Sequence, residues 1–514
     1  MFIEITLLLA LLALLLLSFR KPTRMPPGTF GWPVLGELPP RSIPITEHLR
    51  NLKKKRGDIF TTKWGSHRIV VVTDYNLIKK AFNHPDIQGR PAFFSFDMFI
   101  YFKNAGIVRS HGSVWTENRR FMLRHLRDLG MGKTALEGSI QQEAEMLVDH
   151  LDKTCVGKPA VMDHSINCAV VNVIWQMLAS KRYDVEDKLM LWYSGMIEEN
   201  FAIVQGRVFL IDVFPWLATV LPSFILNKFF KVDVLCRNRD EIQSMFKKFI
   251  DDHMATLDPN NPRDVIDQLL LERAHRDAPD FLTSEDELDV TSIMGDMFVA
   301  GSETTSSTLR WMILYMAINP EIQAKVHEHL DAVVPSDRLP SLNDRNHNSS
   351  KKRKRFRIKT IEHFHRLQYV DAMLLEVMRL SSLLPIGLLH TATADVTFEG
   401  YDIPKGTSVL ACAEMCHRDP AYWKHPDKFY PEHFLDDEGK LDGKKEGFLP
   451  FSLGRRQCLG ESLARMELYL FSTAILQRFT IEPPEGVTLS TETDPSQMIF
   501  NFPKPYEVLL RKRI

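Results

Sequence analysis

One cysteine constrains this chain more than any other residue. Cys458 stands in FSLGRRQCLG, residues 451–460, a loop punctuated by Gly454 and Gly460 that runs directly into ESLARMELYLF, a stretch with helical spacing. Glycine permits backbone conformations and close approaches denied to other residues, so a flat, bulky group can lie against such a loop. A helix that starts just after a cysteine turns its free N–H groups and its positive dipole end back toward the sulfur, which favours thiolate over thiol. The loop therefore predicts an electron-rich sulfur ligand. An isolated cysteine is more often a small buried apolar residue. The other five, at 155, 168, 236, 412 and 416, read that way, because their spacings fit neither a zinc ribbon nor a redox dithiol and predict no disulfide framework.

Phe451, Gly454, Arg456, Cys458 and Gly460 together fill the haem-loop pattern of the cytochromes P450. Over essentially its whole length the chain resembles that family, within the animal microsomal clan of drug- and steroid-metabolising monooxygenases. The resemblance implies haem b, with Cys458 on the iron and Arg456 on a propionate. Thiolate ligation pushes electron density toward the metal and favours O–O cleavage, whereas histidine is the ligand of globins and peroxidases. It also implies a mainly α fold with small β-sheets, a single P450-like helical domain behind an N-terminal transmembrane helix. Glu376 and Arg379, three apart and so on one helix face, match the pair that locks the core beneath the haem. Alone, such a pair would read as a surface salt bridge. Where the family's third structural arginine falls, in PEHF, this chain has His433. Trp115, Arg119 and His390 match further propionate-binding positions.

The segment at residues 291–316, TSIMGDMFVAGSETTSSTLRWMILYM, has apolar residues at helical spacing and predicts one long helix. Gly301 in its middle costs about 1 kcal/mol relative to alanine, and SETTSS after it is a run of weak helix formers, so the helix should tolerate a local opening. In the resembling family this opening lies over the iron, and Glu303 with Thr304 relays protons. An acid beside a hydroxyl suits that task, since oxygen activation needs protons passed through short hydrogen-bonded steps. The intact pair argues against the nearest rival, a haem-thiolate isomerase that rearranges a peroxide. A catalytically silent haem-binding or membrane protein is the rival of another class, separated by whether reductase and NADPH make the protein consume oxygen. Candidate pocket walls are Phe96, Phe99, Met297, Ala300, Ile386 and Ile499, an apolar set that suits a lipophilic substrate without naming it.

Residues 2–19, FIEITLLLALLALLLLSF, approach the ~20 apolar residues that cross a bilayer. Arg20, Lys21 and Arg24 follow, which by the positive-inside rule puts the body on the cytosolic face of the endoplasmic reticulum membrane. No basic leader or cleavage site marks a signal peptide. A basic, proline-rich connector at 20–40 joins this anchor to a catalytic domain at 41–514. Residues 346–364, dense in lysine and arginine, read as an inserted surface loop, with a nuclear-targeting role, contact to anionic lipid and an unspliced coding segment as the other readings. Strand pairs are expected within 57–74 and 396–410.

With 64 basic and 65 acidic residues the chain has no global attraction to nucleic acid, and none is expected as a partner. GMGKT, at 130–134, lacks a phosphate loop's first glycine, Arg127 standing there, and no flavin or dinucleotide fingerprint is evident. Electrons are therefore expected from a separate protein, NADPH-cytochrome P450 reductase, with cytochrome b5 a further candidate. Arg120, Arg124, Arg127 and Lys133 are either a docking face for an acidic donor or a solvated face.

Overall fold

The computed structural model describes residue 6 and residues 24–32, 34–40, 42–95, 104–128, 134–275, 286–345, 367–493, 497 and 499–513. The anchor at 2–19 apart from residue 6, Phe96, Phe99, Lys133 and the basic insertion at 346–364 lie outside the described residues. Among the described residues no helix is long and apolar enough to cross a membrane.

Strands β1 (Ile59–Trp64) and β2 (His67–Val72) form the expected antiparallel pair, in register from Ile59↔Val72 to Trp64↔His67. Their β-branched and aromatic side chains suit a pleated, half-buried surface. Gly65 at the turn has φ 54°, and a Cβ there would lie 2.4 Å from the Val213 carbonyl oxygen, so glycine is required. Further strands are β3 (Pro159–Ala160), β4 (His390–Thr391), β5 (Val396–Phe398), β6 (Tyr401–Ile403), β7 (Ser408–Ala411), β8 (Phe479–Glu482) and β9 (Val508–Lys512). β5 and β6 pair about Gly400, as expected. The third strand of that stretch, β7, runs parallel to β2 instead, giving a sheet of order β1-β2-β7-β4. The order in the three-stranded sheet is β3-β9-β8.

Helices α1 (Ile45–Arg56), α2 (Tyr75–Asn83), α3 (Gly112–Asp128), α4 (Thr134–Thr154), α5 (Asp163–Ala179) and α6 (Lys188–Ile203) lead into α7 (Val232–Thr256), α8 (Val265–His275) and α9 (Asp286–Ile318). Then come α10 (Pro320–Val333), α11 (Gln368–Ser381) and α12 (Glu461–Arg478). α2 starts on Asp74, whose carboxylate accepts the Leu77 N–H at 2.9 Å. α5 is apolar nearly all round, and such a helix belongs in the interior. It packs along α9, about 50 Å long at 1.5 Å per residue, with Trp175 4.2 Å from the Phe298 ring.

The expected long helix is present, running without a break from Asp286 to Ile318. Gly301 is explained by packing, since a Cβ would fall 2.4 Å from Cδ1 of Ile174 on α5. The hydroxyls of Ser302, Thr304 and Thr308 bond back to the carbonyls of Phe298, Ala300 and Thr304, at 2.6, 2.7 and 2.8 Å. These three hydroxyls thus find their partners within the helix itself.

Candidate functional site

The cysteine loop is a tight turn laid against α2. The Cys458 N–H donates to the Phe451 carbonyl at 2.9 Å and the Gln457 N–H to that of Gly454 at 3.2 Å. Gly454 has φ 76°, and a Cβ would stand 2.4 Å from the Phe82 carbonyl oxygen. This corrects the expectation that the glycine clears room for a flat ligand, because what approaches Gly454 is the chain's own backbone. Gly460 has φ -89°, which any residue can adopt, and a Cβ there would meet nothing within 4 Å.

The N–H groups of Gly460 and Glu461, where α12 begins, do face the Cys458 sulfur and favour its ionised form. They do not prevail. Burial pushes the thiol up, Gly460 and Arg119 pull it down, the Glu461 carboxylate pushes it up again, and the net direction is upward. The helix start thus acts in the expected direction on a sulfur that is open at its surface, and a bound metal's positive charge would act in the same direction.

Beside the loop three arginines converge. Arg456 is buried, 4.0 Å from the centre of the Trp115 ring, and donates to the carbonyls of Gln88 at 3.0 and 2.8 Å, Ile107 at 3.3 Å and Ser110 at 2.6 Å. Arg90 donates to the carbonyls of Val108 at 3.0 Å and Leu389 at 2.8 Å. Arg119 lies 6.0 Å from the same Trp115 ring and donates to the Gln457 carbonyl at 2.6 Å. Among the described residues none of the three pairs with a carboxylate. Burial, then the mutual repulsion of the arginines, pulls Arg456 down to about 8, and burial with Arg119 pulls Arg90 down to about 10. Such a cluster calls for an anion of matching charge.

His390 completes this wall. Its ring stacks on Phe82 at 3.8 Å, and Nδ1 lies 2.8 Å from the Ile87 carbonyl, an acceptor only, so Nδ1 carries the proton. Burial and then Arg90 hold the ring well below its ordinary range. A thiol at a helix start, an uncompensated cationic wall with an aromatic face, and open space at Gly460 fit an iron porphyrin with two propionates. Arg90 was not among the sequence expectations. No periodicity marks it, and only the fold brings residues 90, 119 and 456 together.

On the facing side, most of the described side chains of α9 are buried, with a more accessible stripe in its middle. Met297 and Thr304 are half-buried and Ala300 is exposed, and their spacing of three and four puts them on one face. The Thr304 hydroxyl points to this stripe while bonded to the Ala300 carbonyl. Glu303 is buried and turned elsewhere, accepting from Asn167 on α5 at 3.2 Å and from Ser307 at 3.2 Å. Burial pushes its carboxyl up, against the pull of Arg310. The acid and the hydroxyl are adjacent in sequence but engage different partners, so any relay between them needs a rotation of Glu303.

Glu376 and Arg379 form a fully buried two-point pair, both contacts at 2.7 Å. Arg379 also donates to the carbonyls of His417 at 2.6 Å, Pro426 at 2.7 Å and Lys428 at 3.1 Å. His433 occupies the third position: its Nδ1 donates to Glu376 at 3.2 Å, and its Nε2 accepts the His425 N–H at 3.1 Å. A ring that donates at one nitrogen and accepts at the other is neutral. The substitution for arginine therefore keeps the hydrogen bond without the charge. Phe451 is half-buried under the guanidinium of Arg465, 5.1 Å from its ring.

The remaining pocket expectations separate. Ile386 packs with Ile45, Leu49, Phe60 and Trp64 beneath the four-stranded sheet, in a different cluster from Met297, so it is corrected to a core residue. Ile499 packs against the chain at 204–211, and its N–H lies 3.4 Å from Gln205 Oε1. Arg120, Arg124 and Arg127 are exposed in one stripe on α3, the helix that also carries Trp115 and Arg119.

A family model described as Cytochrome P450 matches residues 26–510. The chain is 43% identical over 495 residues to cytochrome P450 2L1 of Panulirus argus, covering 96% of each chain. It is 34% identical over 524 residues to cytochrome P450 18a1 of Drosophila melanogaster, covering 100% of this chain and 91% of that one. It is 36% identical over 519 residues to cytochrome P450 2B4 of Oryctolagus cuniculus, covering 98% of each.

Proposed function

The chain belongs to the cytochrome P450 family and is a haem monooxygenase, and from that premise we propose that it inserts one atom of O2 into a lipophilic substrate, with electrons passed from NADPH by a separate reductase. The observation that carries this reading is the placing of the Cys458 thiol at the start of α12, beside three arginines that, among the described residues, donate to backbone carbonyls and to no carboxylate. Haem, when bound, supplies oxygen activation at an iron held by the Cys458 sulfur. Arg90, Arg119, Arg456, Trp115 and His390 would hold the two propionates, whose charge would offset the mutual repulsion of the arginines. Thr304 offers its hydroxyl on the accessible stripe of α9, and Glu303 carries protons to it by leaving Asn167 and Ser307. Met297 and Ala300 present apolar surface to the substrate.

The exposed stripe of Arg120, Arg124 and Arg127 is proposed as the docking face for the reductase or cytochrome b5, because it shares α3 with propionate-holding residues and so shortens the path for an electron. The protein is proposed to sit on the endoplasmic reticulum membrane. Beyond the apolar run at 2–19, exposed Trp32, Val34 and Leu35 support this, as do Trp216, Val220, Phe224 and Phe229. The two groups flank one turn: Gly65 N–H donates to the Leu35 carbonyl and Ser66 N–H to that of Val213, each at 2.9 Å. An apolar patch of this kind marks an interaction surface, and a bilayer covers both of its halves together.

The test is reconstitution with NADPH-cytochrome P450 reductase and a panel of sterols, fatty acids, terpenoids and xenobiotics. Substrate-dependent NADPH and oxygen consumption with a hydroxylated product is expected, weakened when Arg120, Arg124 and Arg127 are replaced by alanine. A protein that binds haem yet consumes no oxygen with any substrate would overturn the proposal.

A further inference from the structure

Asp296 on α9 is a buried acid outside both the cysteine loop and the arginine wall. One of its oxygens, Oδ2, accepts the N–H of Ile107 at 2.5 Å and the N–H of Val108 at 2.9 Å. Gly106 leaves room for this approach: its φ is 70°, and a Cβ there would stand 2.4 Å from the same oxygen. Successive backbone N–H groups turned to one side form a concavity for an anion, and the Asp296 carboxylate fills it.

The opposite edges of the same peptides face the arginine wall and α3. A trans peptide group is planar, with its N–H and its C=O pointing in opposite directions. The peptide joining Ile107 to Val108 gives its N–H to Asp296 and its carbonyl to Arg456, the latter at 3.3 Å. The peptide joining Gly106 to Ile107 gives its N–H to Asp296, while its carbonyl accepts from Asn118 on α3 at 3.0 Å and from the Ser110 hydroxyl at 2.5 Å. The next carbonyls continue the pattern: that of Val108 accepts from Arg90 at 3.0 Å and that of Ser110 from Arg456 at 2.6 Å. One carboxylate on α9 thus fixes the orientation of a short stretch of chain whose carbonyls hold two of the three arginines. Without it two N–H groups would turn inward unpaired, and the peptides would rotate to find other partners.

We propose that Asp296 is a positioning residue for the propionate wall: by holding the peptides at 106–108 it aims their carbonyls at Arg456 and Arg90, and so sets where the two guanidinium groups meet the haem carboxylates. The inference rests on the haem monooxygenase reading above. Its consequence is electronic, because propionates less closely matched by cations stabilise the more positive ferric state. Loosening the two arginines therefore lowers the reduction potential and weakens the hold on haem.

The experiment uses the full-length, haem-loaded protein as Asp296→Leu, Asp296→Asn and Asp296→Glu, with Met294→Ala, a change at a buried residue of the same helix, as the control for lost packing. All should keep the thiolate signature of the reduced carbon monoxide complex. In Asp296→Leu haem should pass to apomyoglobin about tenfold faster, the scale of one hydrogen bond to a charged group. Its reduction equilibrium should fall about tenfold, or about 59 mV for one electron. The resonance Raman bending bands of the propionates, which report their hydrogen bonds, should shift. Asp296→Asn, whose amide oxygen accepts the same two N–H groups, should keep the wild-type bands, potential and haem release. Asp296→Glu keeps the charge but carries its oxygens one methylene further, and should shift the bands as the leucine variant does. Met294→Ala should unfold more readily with the propionate bands unmoved. Should Asp296→Leu fail to hold haem, the comparison of Asp296→Glu with Asp296→Asn decides. Unmoved bands in the Leu or Glu variant, an Asn variant as poor as the Leu variant, or an equal shift in Met294→Ala would each overturn the proposal. A wild-type protein without turnover would instead count against the monooxygenase reading, and the bands and the potential, which need no turnover, would still test Asp296.

Discussion

Adding one methyl group at Gly301 tests whether the long helix is held by packing or kept weak for opening. In Gly301→Ala the new Cβ would fall 2.4 Å from Cδ1 of Ile174 and 3.5 Å from its Cγ1. The first distance is a severe overlap and the second an ordinary contact. Alanine gains about 1 kcal/mol over glycine in a helix interior, while overpacking a filled core costs about 1–3 kcal/mol. The single variant should therefore lose up to about 2 kcal/mol. Ile174→Val removes only the offending Cδ1 and alone costs about 0.5–1.5 kcal/mol. With both changes the alanine methyl occupies the space that Cδ1 leaves, so Gly301→Ala should become stabilising in the Ile174→Val background. The coupling between the two sites should be about 2 kcal/mol, within the range of residues in direct contact. Denaturant unfolding of the four proteins, followed by far-ultraviolet circular dichroism and haem absorbance, gives the cycle from midpoints at constant slope. If Gly301→Ala alone raises stability by about 1 kcal/mol, or the two changes simply add, the packing explanation of Gly301 is wrong.

Replacing Arg379 by leucine leaves the Glu376 carboxylate buried without its cation, a loss of about 3–5 kcal/mol; recovery of Arg379→Leu with the wild-type unfolding midpoint would contradict this. Gly454→Ala should abolish haem incorporation, because the residue keeps φ 76° against the Phe82 carbonyl, a conformation that costs other residues about 1–3 kcal/mol before the clash is counted. Gly460→Ala, with an ordinary φ and no neighbour within 4 Å, should fold with unchanged stability before haem is added. Glu467 binds its proton more tightly folded, at about 8 against 4.5, so relative to Glu467→Gln the wild type should lose about 3–4 kcal/mol as pH rises from the unfolded value through the folded one. Unfolding curves for the two proteins that stay parallel between those limits would show that Glu467 is not protonated in the fold.

Local features of this chain were legible where local chemistry decides them. The alternation of IFTTKW and HRIVVV specified the hairpin at 59–72, and the spacing of three between Glu376 and Arg379 specified a shared helix face. The loop around Cys458 was legible because a thiol, a following helix and an arginine carry their chemistry in any fold. What escaped depends on segments far apart in the chain. Gly301 and Gly454 looked like sites of backbone freedom for a ligand, yet Ile174 and Phe82 are what press on them. Arg90 joins Arg119 and Arg456 only after α2 and the cysteine loop have packed together. Glu303 and Thr304 are neighbours in sequence, but the helix turns them about 100° apart, and Asn167 claims the acid. Ile386 is apolar and follows α11 like a pocket residue, but the sheet beneath it takes up its side chain. The third structural position read as a departure from arginine at which a histidine could serve, and His433 fills it through both ring nitrogens.

The account depends most on the Cys458 sulfur as the axial ligand, and the reduced carbon monoxide complex reports that bond directly. The wild-type protein should give the red-shifted Soret band of a thiolate-ligated ferrous haem. In Cys458→Ser, with the arginine wall intact, that band should be lost, and Cys458→His should move it to the position seen for histidine-ligated haem proteins. Haem retained in Cys458→Ser with an unchanged thiolate band would mean that another of the five remaining cysteines holds the iron, and would contradict the assignment on which the site rests.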